Sequence, residues 1–169
     1  LVGSYPSIGT ISGDPLSNEP RTIRAIVSYF DINTVENKLA MRDYSVDPKT
    51  NKVESLGTSR TLCPGLNLAL PKISNNGKRL SAFDNNSGSS KIYDVKDDGQ
   101  CTEFLDLKKI GLQNIGKADF SLDNNKVTYA MLYNINVERY LSNWGSTGFW
   151  DHSDVFTTDL TTGKTKQIT

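Results

Sequence analysis

The segment Ser74-Asn75-Asn76-Gly77-Lys78-Arg79-Leu80 returns 47 positions later as Ser121-Leu122-Asp123-Asn124-Asn125-Lys126-Val127, and each copy leads into an apolar, strand-like run. Self-similarity at this period marks stacked structural units, because one short unit cannot bury its own apolar face and must lean on a neighbour. The 169 residues, 36% of them hydrophobic, suffice for one ordinary core shared among a few small sheets.

The order of elements follows from alternation and turn chemistry. Residues 1–21 are rich in Gly, Pro and Ser and read as an N-terminal arm or lead-in strand. Beyond them Ile23, Ala25, Val27 and Tyr29 alternate with Arg24, Ile26 and Ser28, a strand with two fairly apolar faces. A polar stretch, 31–38, precedes a second strand at 39–46. Asp47-Pro48-Lys49-Thr50-Asn51-Lys52 then makes a tight turn, since Pro sets φ and Asn tolerates the left-handed region, and 53–56 is the returning strand.

The second unit runs through strands at 70–73, 79–83, 91–95 and 101–105. Asn76-Gly77 supplies a hairpin signal, and Lys96-Asp97-Asp98-Gly99-Gln100 the last turn. The third unit repeats the plan at 117–120, 126–130, 154–159 and 165–169, and it carries an insertion of about 20 residues, 132–153, where its neighbour has a short loop. Residues 136–141 form the one helix-compatible stretch. The fold class is therefore all-β: about three four-stranded antiparallel meanders.

Lys plus Arg total 19 and Asp plus Glu total 19, so no net field draws the chain to phosphate backbones or acidic lipids. Neither nucleic acid nor membrane insertion is expected, and no run reaches the roughly 18 apolar residues of a membrane span. The first residue is Leu1, which fits a processed product or a piece of a longer chain.

Cys63 and Cys101 lie 38 residues apart without a CxxC pair or a nearby His, which argues against zinc. On the repeat reading, Cys63 precedes the first strand of the second unit and Cys101 stands at the end of that unit's last strand. The two form either a disulfide, implying export, or a pair of buried thiols. Asn85-Asn86-Ser87 matches a glycosylation acceptor, meaningful only in a eukaryotic secretory setting.

The phrase Ile73 through Leu80, followed by Lys91-Ile92-Tyr93-Asp94-Val95 and a Gly-containing turn, resembles the WD40-like repeat (PD40) of TolB-type β-propellers. Ser121 to Tyr129, with Asp154-Val155-Phe156-Thr157-Thr158-Asp159 and Thr162-Gly163-Lys164, matches that repeat as well, and Met41 to Lys52 matches its outer hairpin. Asn75-Asn76 replaces the family's usual Pro-Asp, and Asn124-Asn125 its Gly-Lys, both with turn chemistry kept. The resemblance implies propeller blades at approximately 22–62, 63–110 and 111–169. Propellers close with about four to eight blades. An incomplete ring implies further blades, another protein chain, or a second copy.

No elbow, zinc helix or phosphate loop of a known catalytic kind is present, and no catalytic residue, metal or cofactor is expected. His152, in Trp150-Asp151-His152-Ser153-Asp154, is the sole histidine, and neighbours on an extended chain point to opposite sides rather than assembling a triad. The Asp-rich turns at 94–98 and 119–123 read as turn caps, not as a calcium loop. The insertion is the binding candidate: Tyr133, Arg139, Tyr140, Trp144, Phe149, Trp150 and His152 combine ring faces with polar groups, chemistry that suits a peptide or a glycan. The alternative use of these rings is to pack the loop onto its own sheets.

The expectation is a non-enzymatic scaffold or recognition module, periplasmic or extracellular in a bacterium, that mediates protein–protein or glycan binding within a larger protein or assembly. The alternative is the propeller portion of a prolyl-oligopeptidase-like or carbohydrate-active enzyme whose catalytic part lies elsewhere. A third reading is a structural subunit of a cell-surface assembly.

Overall fold

A computed structural model describes residues 6–112, 115–132 and 153–169. They form three four-stranded antiparallel sheets, each a meander in which spatial order follows chain order. Sheet 1 holds β1 (Ser7–Ser12), β2 (Arg21–Asp31), β3 (Glu36–Asp47) and β4 (Lys52–Leu62). Sheet 2 holds β5 (Leu68–Ile73), β6 (Arg79–Asp84), β7 (Ser89–Val95) and β8 (Cys101–Asp106). Sheet 3 holds β9 (Ile115–Phe120), β10 (Lys126–Leu132), β11 (Ser153–Asp159) and β12 (Thr165–Gln167). The opening strands β1, β5 and β9 lie side by side, so the chain is all-β and built as consecutive propeller blades.

Two local devices make the turns. In the first, Gly77 N donates to Ser74 O at 2.9 Å and Arg79 N to Ser74 Oγ at 2.8 Å; Asn124 N to Ser121 O and Lys126 N to Ser121 Oγ repeat both bonds at 2.9 Å. The residue closing each turn is left-handed, Gly77 at φ 70° and Asn124 at φ 60°, which is why Asn can stand where Gly stood. In the second device an Asp heads the hairpin and its carboxylate accepts the backbone N–H two residues on: Asp31 from Asn33, Asp47 from Lys49, Asp84 from Asn86, Asp159 from Thr161. Four residues after each Asp the chain turns left-handed, at Val35, Asn51, Gly88 and Gly163.

Sheet 1 is longer than its sequence suggests. The lead-in segment contributes β1, paired from Ser7↔Ile26 to Ser12↔Thr22. The returning strand does not stop at residue 56 but reaches Leu62, because the 12-residue β3 offers it open backbone. A bulge beside Met41 and Asp43 absorbs the surplus residues, with Gly57 left-handed at φ 81°. Helix is confined, among the described residues, to a 3-10 turn at Leu107–Ile110.

Each gap between sheets is a core. Ile26, Leu39, Met41 and Leu62 of sheet 1 pack on Leu80, Ala82, Tyr93 and Val95 of sheet 2. Ile92 and Leu107 pack on Ala118, Val127, Tyr129 and Phe156 of sheet 3. Full burial of each Val, Leu, Ile, Phe or Met side chain among them contributes about 1.5–3 kcal/mol. Polar steps link the same sheets: Thr10 N donates to Asn75 O at 2.5 Å and Asn75 Nδ2 to Ser121 O at 2.9 Å. Gly9 permits the first of these, since a Cβ there would run into the Ser74 carbonyl oxygen.

Cys63 and Cys101 are bonded, with Cα atoms 4.9 Å apart, which removes the buried-thiol alternative. Cys101 begins β8 rather than ending it, so the bridge ties the start of the outer strand of sheet 2 to the residue that follows β4. Cys63 N also donates to Gly99 O at 2.8 Å, beside the same crossing.

Candidate functional site

Two places concentrate polar chemistry. The first is the seam between sheets 1 and 2, where Arg24, 2% exposed, projects from β2. Its Nε donates to Asp43 Oδ1 at 2.9 Å and its Nη2 to Asp43 Oδ2 at 3.2 Å; Nη2 also reaches Asp97 Oδ1 at 3.0 Å, and Nη1 reaches Gly77 O at 3.3 Å. Arg60 Nη2 adds a 2.6 Å bond to Asp43. The hydrogen bond to Asp43 raises the Arg24 pKa further against the opposing effect of burial. Burial pushes Asp43 up, but the bonds from Arg24 and Arg60 outweigh it and hold the carboxyl below its usual range. A guanidinium that keeps its proton and a carboxylate with both oxygens engaged move no protons; this is a clamp between sheets.

The second place is the edge formed by the connections between second and third strands. These leave at Asp31↔Glu36 in sheet 1, Asp84↔Ser89 in sheet 2 and Leu132↔Ser153 in sheet 3. Asn67 joins the first two: its Oδ1 accepts from Asn37 N at 3.0 Å and from Asn85 Nδ2 at 2.9 Å, and its carbonyl accepts from Asn85 N at 2.9 Å. The β2–β3 hairpin exposes apolar side chains here, with Phe30 at 53%, Ile32 at 81% and Val35 at 71%. Below them Lys38 Nζ meets Asp31 Oδ2 at 2.7 Å, and this bond lowers the Asp31 pKa and raises that of Lys38.

Beside the edge runs a chain of charges on sheet 2. Lys91 Nζ sits 2.9 Å from Asp84 Oδ2 and 3.1 Å from Glu103 Oε2, and Lys109 Nζ lies 2.9 Å from Glu103 Oε1. Burial works against the Lys91 charge, but its two carboxylate partners prevail and raise the pKa. Tyr93, under the same sheet face, is pushed up to about 12, first by burial and then by the Asp84 charge.

The residues predicted to bind ligand, Tyr133, Arg139, Tyr140, Trp144, Phe149, Trp150 and His152, lie outside the described residues, as does the helix-compatible stretch 136–141. The register Leu132↔Ser153 fixes where that insertion leaves the sheet, at the connection equivalent to the apolar β2–β3 hairpin. Sequence reasoning passed over Phe30, Ile32 and Val35 because they are scattered among Asp, Asn and Lys. It also passed over Arg24, whose signal was a lone cation inside Ile23-Arg24-Ala25-Ile26. Among the described residues no group of three or more metal-ligating side chains assembles.

No family model matches the chain, and no curated protein sequence matches it. Solved structures do. The chain is similar to the β-propeller domain of the Trilobed protease from Pyrococcus furiosus, at 12% identity and TM-score 0.42, over 98% of this chain and 45% of that one. It is similar to TolB from Acinetobacter baumannii, at 17% identity and TM-score 0.38, over 96% and 41%. It is also similar to acylaminoacyl peptidase from Pyrococcus horikoshii, at 12% identity and TM-score 0.47, over 97% and 25%. The chain thus spans between a quarter and just under half the length of these proteins, whose activities remain their own.

Proposed function

We propose that the chain is a non-enzymatic propeller module that recognises a peptide or a glycan of a partner protein through the edge carrying the insertion, within a larger protein or assembly. One observation carries this reading: Phe30, Ile32 and Val35 are exposed on the connection equivalent to the one from which the aromatic insertion departs. Apolar side chains gathered on loops at one edge of stacked sheets offer contact area, while the insertion's Arg139 and His152 would orient a ligand. The Cys63–Cys101 bridge supports an oxidising compartment, periplasmic or extracellular.

Both tryptophans of the chain, Trp144 and Trp150, fall within the insertion, so indole emission reports on it alone. Titration with soluble glycans and with a panel of extended peptides is expected to shift that emission saturably, and Phe30→Ala together with Ile32→Ser to weaken the same binding. Emission unmoved by either ligand class removes this reading.

A further inference from the structure

Asn76-Gly77 is the sole Asn-Gly pair in the sequence, and it stands in a turn of sheet 2 that touches both neighbouring sheets. On the sheet 1 side Thr10 N donates to Asn75 O at 2.5 Å and Arg24 Nη1 to Gly77 O at 3.3 Å. On the sheet 3 side Asn75 Nδ2 donates to Ser121 O at 2.9 Å and Asn76 N to Asn124 Oδ1 at 3.3 Å. Packing demands the glycine: a Cβ at 77 would run into the Ile11 side chain of β1, and the backbone there is left-handed at φ 70°. The fold thus places the residue with the barest backbone nitrogen directly after an asparagine.

That order opens one reaction, because no side chain on residue 77 shields its nitrogen. Gly77 N attacks Asn76 Cγ and closes a succinimide, and the proton of Gly77 N departs with the side-chain nitrogen as ammonia. Water then opens the ring at either carbonyl. One opening gives aspartate. The other gives isoaspartate, in which the main chain runs through the former side chain and carries an extra carbon.

The folded turn holds the reacting atoms apart. Gly77 N–H is spent on Ser74 O at 2.9 Å, and Asn76 Oδ1 accepts from Ser74 Oγ at 2.8 Å and from Lys78 N at 3.1 Å. Ser74 is fully buried, and its hydroxyl also accepts from Arg79 N at 2.8 Å. Ring closure must break these bonds, so it proceeds through an opened turn.

The repeat shows what each product does afterwards. Asp123 occupies in sheet 3 the position of Asn76, and its Oδ1 accepts from Ser121 Oγ at 2.5 Å and from Asn125 N at 3.1 Å, the same two bonds. The Ser121 hydroxyl, then the Asn125 N–H, hold that carboxyl below its usual range, so the turn accepts the charged form. An isoaspartate is different: the extra carbon between Ser74 and Gly77 carries Gly77 N off Ser74 O and the Gly77 carbonyl off Arg24.

We propose that Asn76 is a site of spontaneous deamidation gated by this turn: the amide is lost only while the turn is open, the aspartate product is accepted back, and the isoaspartate product unfastens the junction of the three sheets.

The test ages the whole chain at mildly alkaline pH, folded and in guanidinium chloride, and follows the tryptic peptide 73–78 by mass spectrometry. Amide loss at Asn76 is expected to be at least about tenfold slower in the folded chain, because only the opened fraction reacts. Ser74→Ala, which removes the hydroxyl holding Asn76 Oδ1, is expected to speed that loss in the folded chain. Asn76→Asp is expected to keep the wild-type Tm, while aged chain carrying isoaspartate at 76, separated by chromatography and refolded, melts lower. Equal rates in folded and unfolded chain overturn the gating. A Tm for Asn76→Asp as low as that of the isoaspartate form overturns the selective acceptance of aspartate.

Discussion

Arg24 and Asp43 face each other across β2 and β3 and share a two-pronged bond, at 2.9 and 3.2 Å, on the face that sheet 1 turns to sheet 2. The same guanidinium crosses the gap to Gly77 O and Asp97, so a pair made within one blade also fastens it to the next. A buried cation is tolerated there because every prong has an acceptor.

Removing one partner of this pair is expected to be costly. Arg24→Ala leaves Asp43 desolvated with Arg60 alone, and loss of one member of a buried pair costs roughly 3–5 kcal/mol. The folded pKa of Asp43 lies below its unfolded value, so its contribution is present above about pH 4 and lost as pH falls through the folded value. Urea denaturation followed from neutral pH down to about pH 3 should show a shallower acid limb in Asp43→Asn than in the wild type. Equal limbs would mean the pair carries no pH-linked stability.

Tyr93 contributes to the opposite limb, alongside Tyr129 and Lys91, whose folded pKa values are also raised. Burial, then the Asp84 charge, pushes its folded pKa up to about 12, while the unfolded phenol titrates near 10. A raised folded pKa means stability intact below about pH 10 and lost between there and about pH 12, where only the unfolded chain ionises. Tyr93→Phe is expected to flatten this loss. Absorbance titration of the phenols alongside denaturation at alkaline pH checks it.

Val35 holds a left-handed conformation, φ 56°, that its equivalents leave to Asn51, Gly88 and Gly163. A β-branched residue there is strained, and Val35→Asn is expected to stabilise the fold by about 1 kcal/mol. For a chain of this size that raises Tm by roughly 3 °C, measurable by thermal denaturation. The converse change, Asn51→Val, should lower it.

The turn chemistry and the alternation of apolar residues, each read within a few residues, placed the strands and hairpins, and the repeat across 47 positions grouped them into meanders. Asp47 and Asn51 announce their hairpin, and Ser121 to Asn124 announce theirs, through bonds that span no more than five positions. What lies at a distance was not legible. The extension of β4 to Leu62 depends on the length of its partner, and the role of Arg24 depends on a turn 53 residues away. The exposed hairpin of Phe30, Ile32 and Val35 carried no apolar periodicity to mark it.

Sequence alone determined that this chain makes turn-linked strands in repeated units, since backbone preference and side-chain alternation act locally. Only the tertiary structure decided which face of each sheet is buried. Alternation gave β2 two apolar faces, and it was the stacking of sheet 2 that claimed Arg24 and Ile26 while leaving Ile23, Ala25 and Val27 turned outward. Burial is a relation between surfaces, and a surface acquires its partner only when the sheets meet.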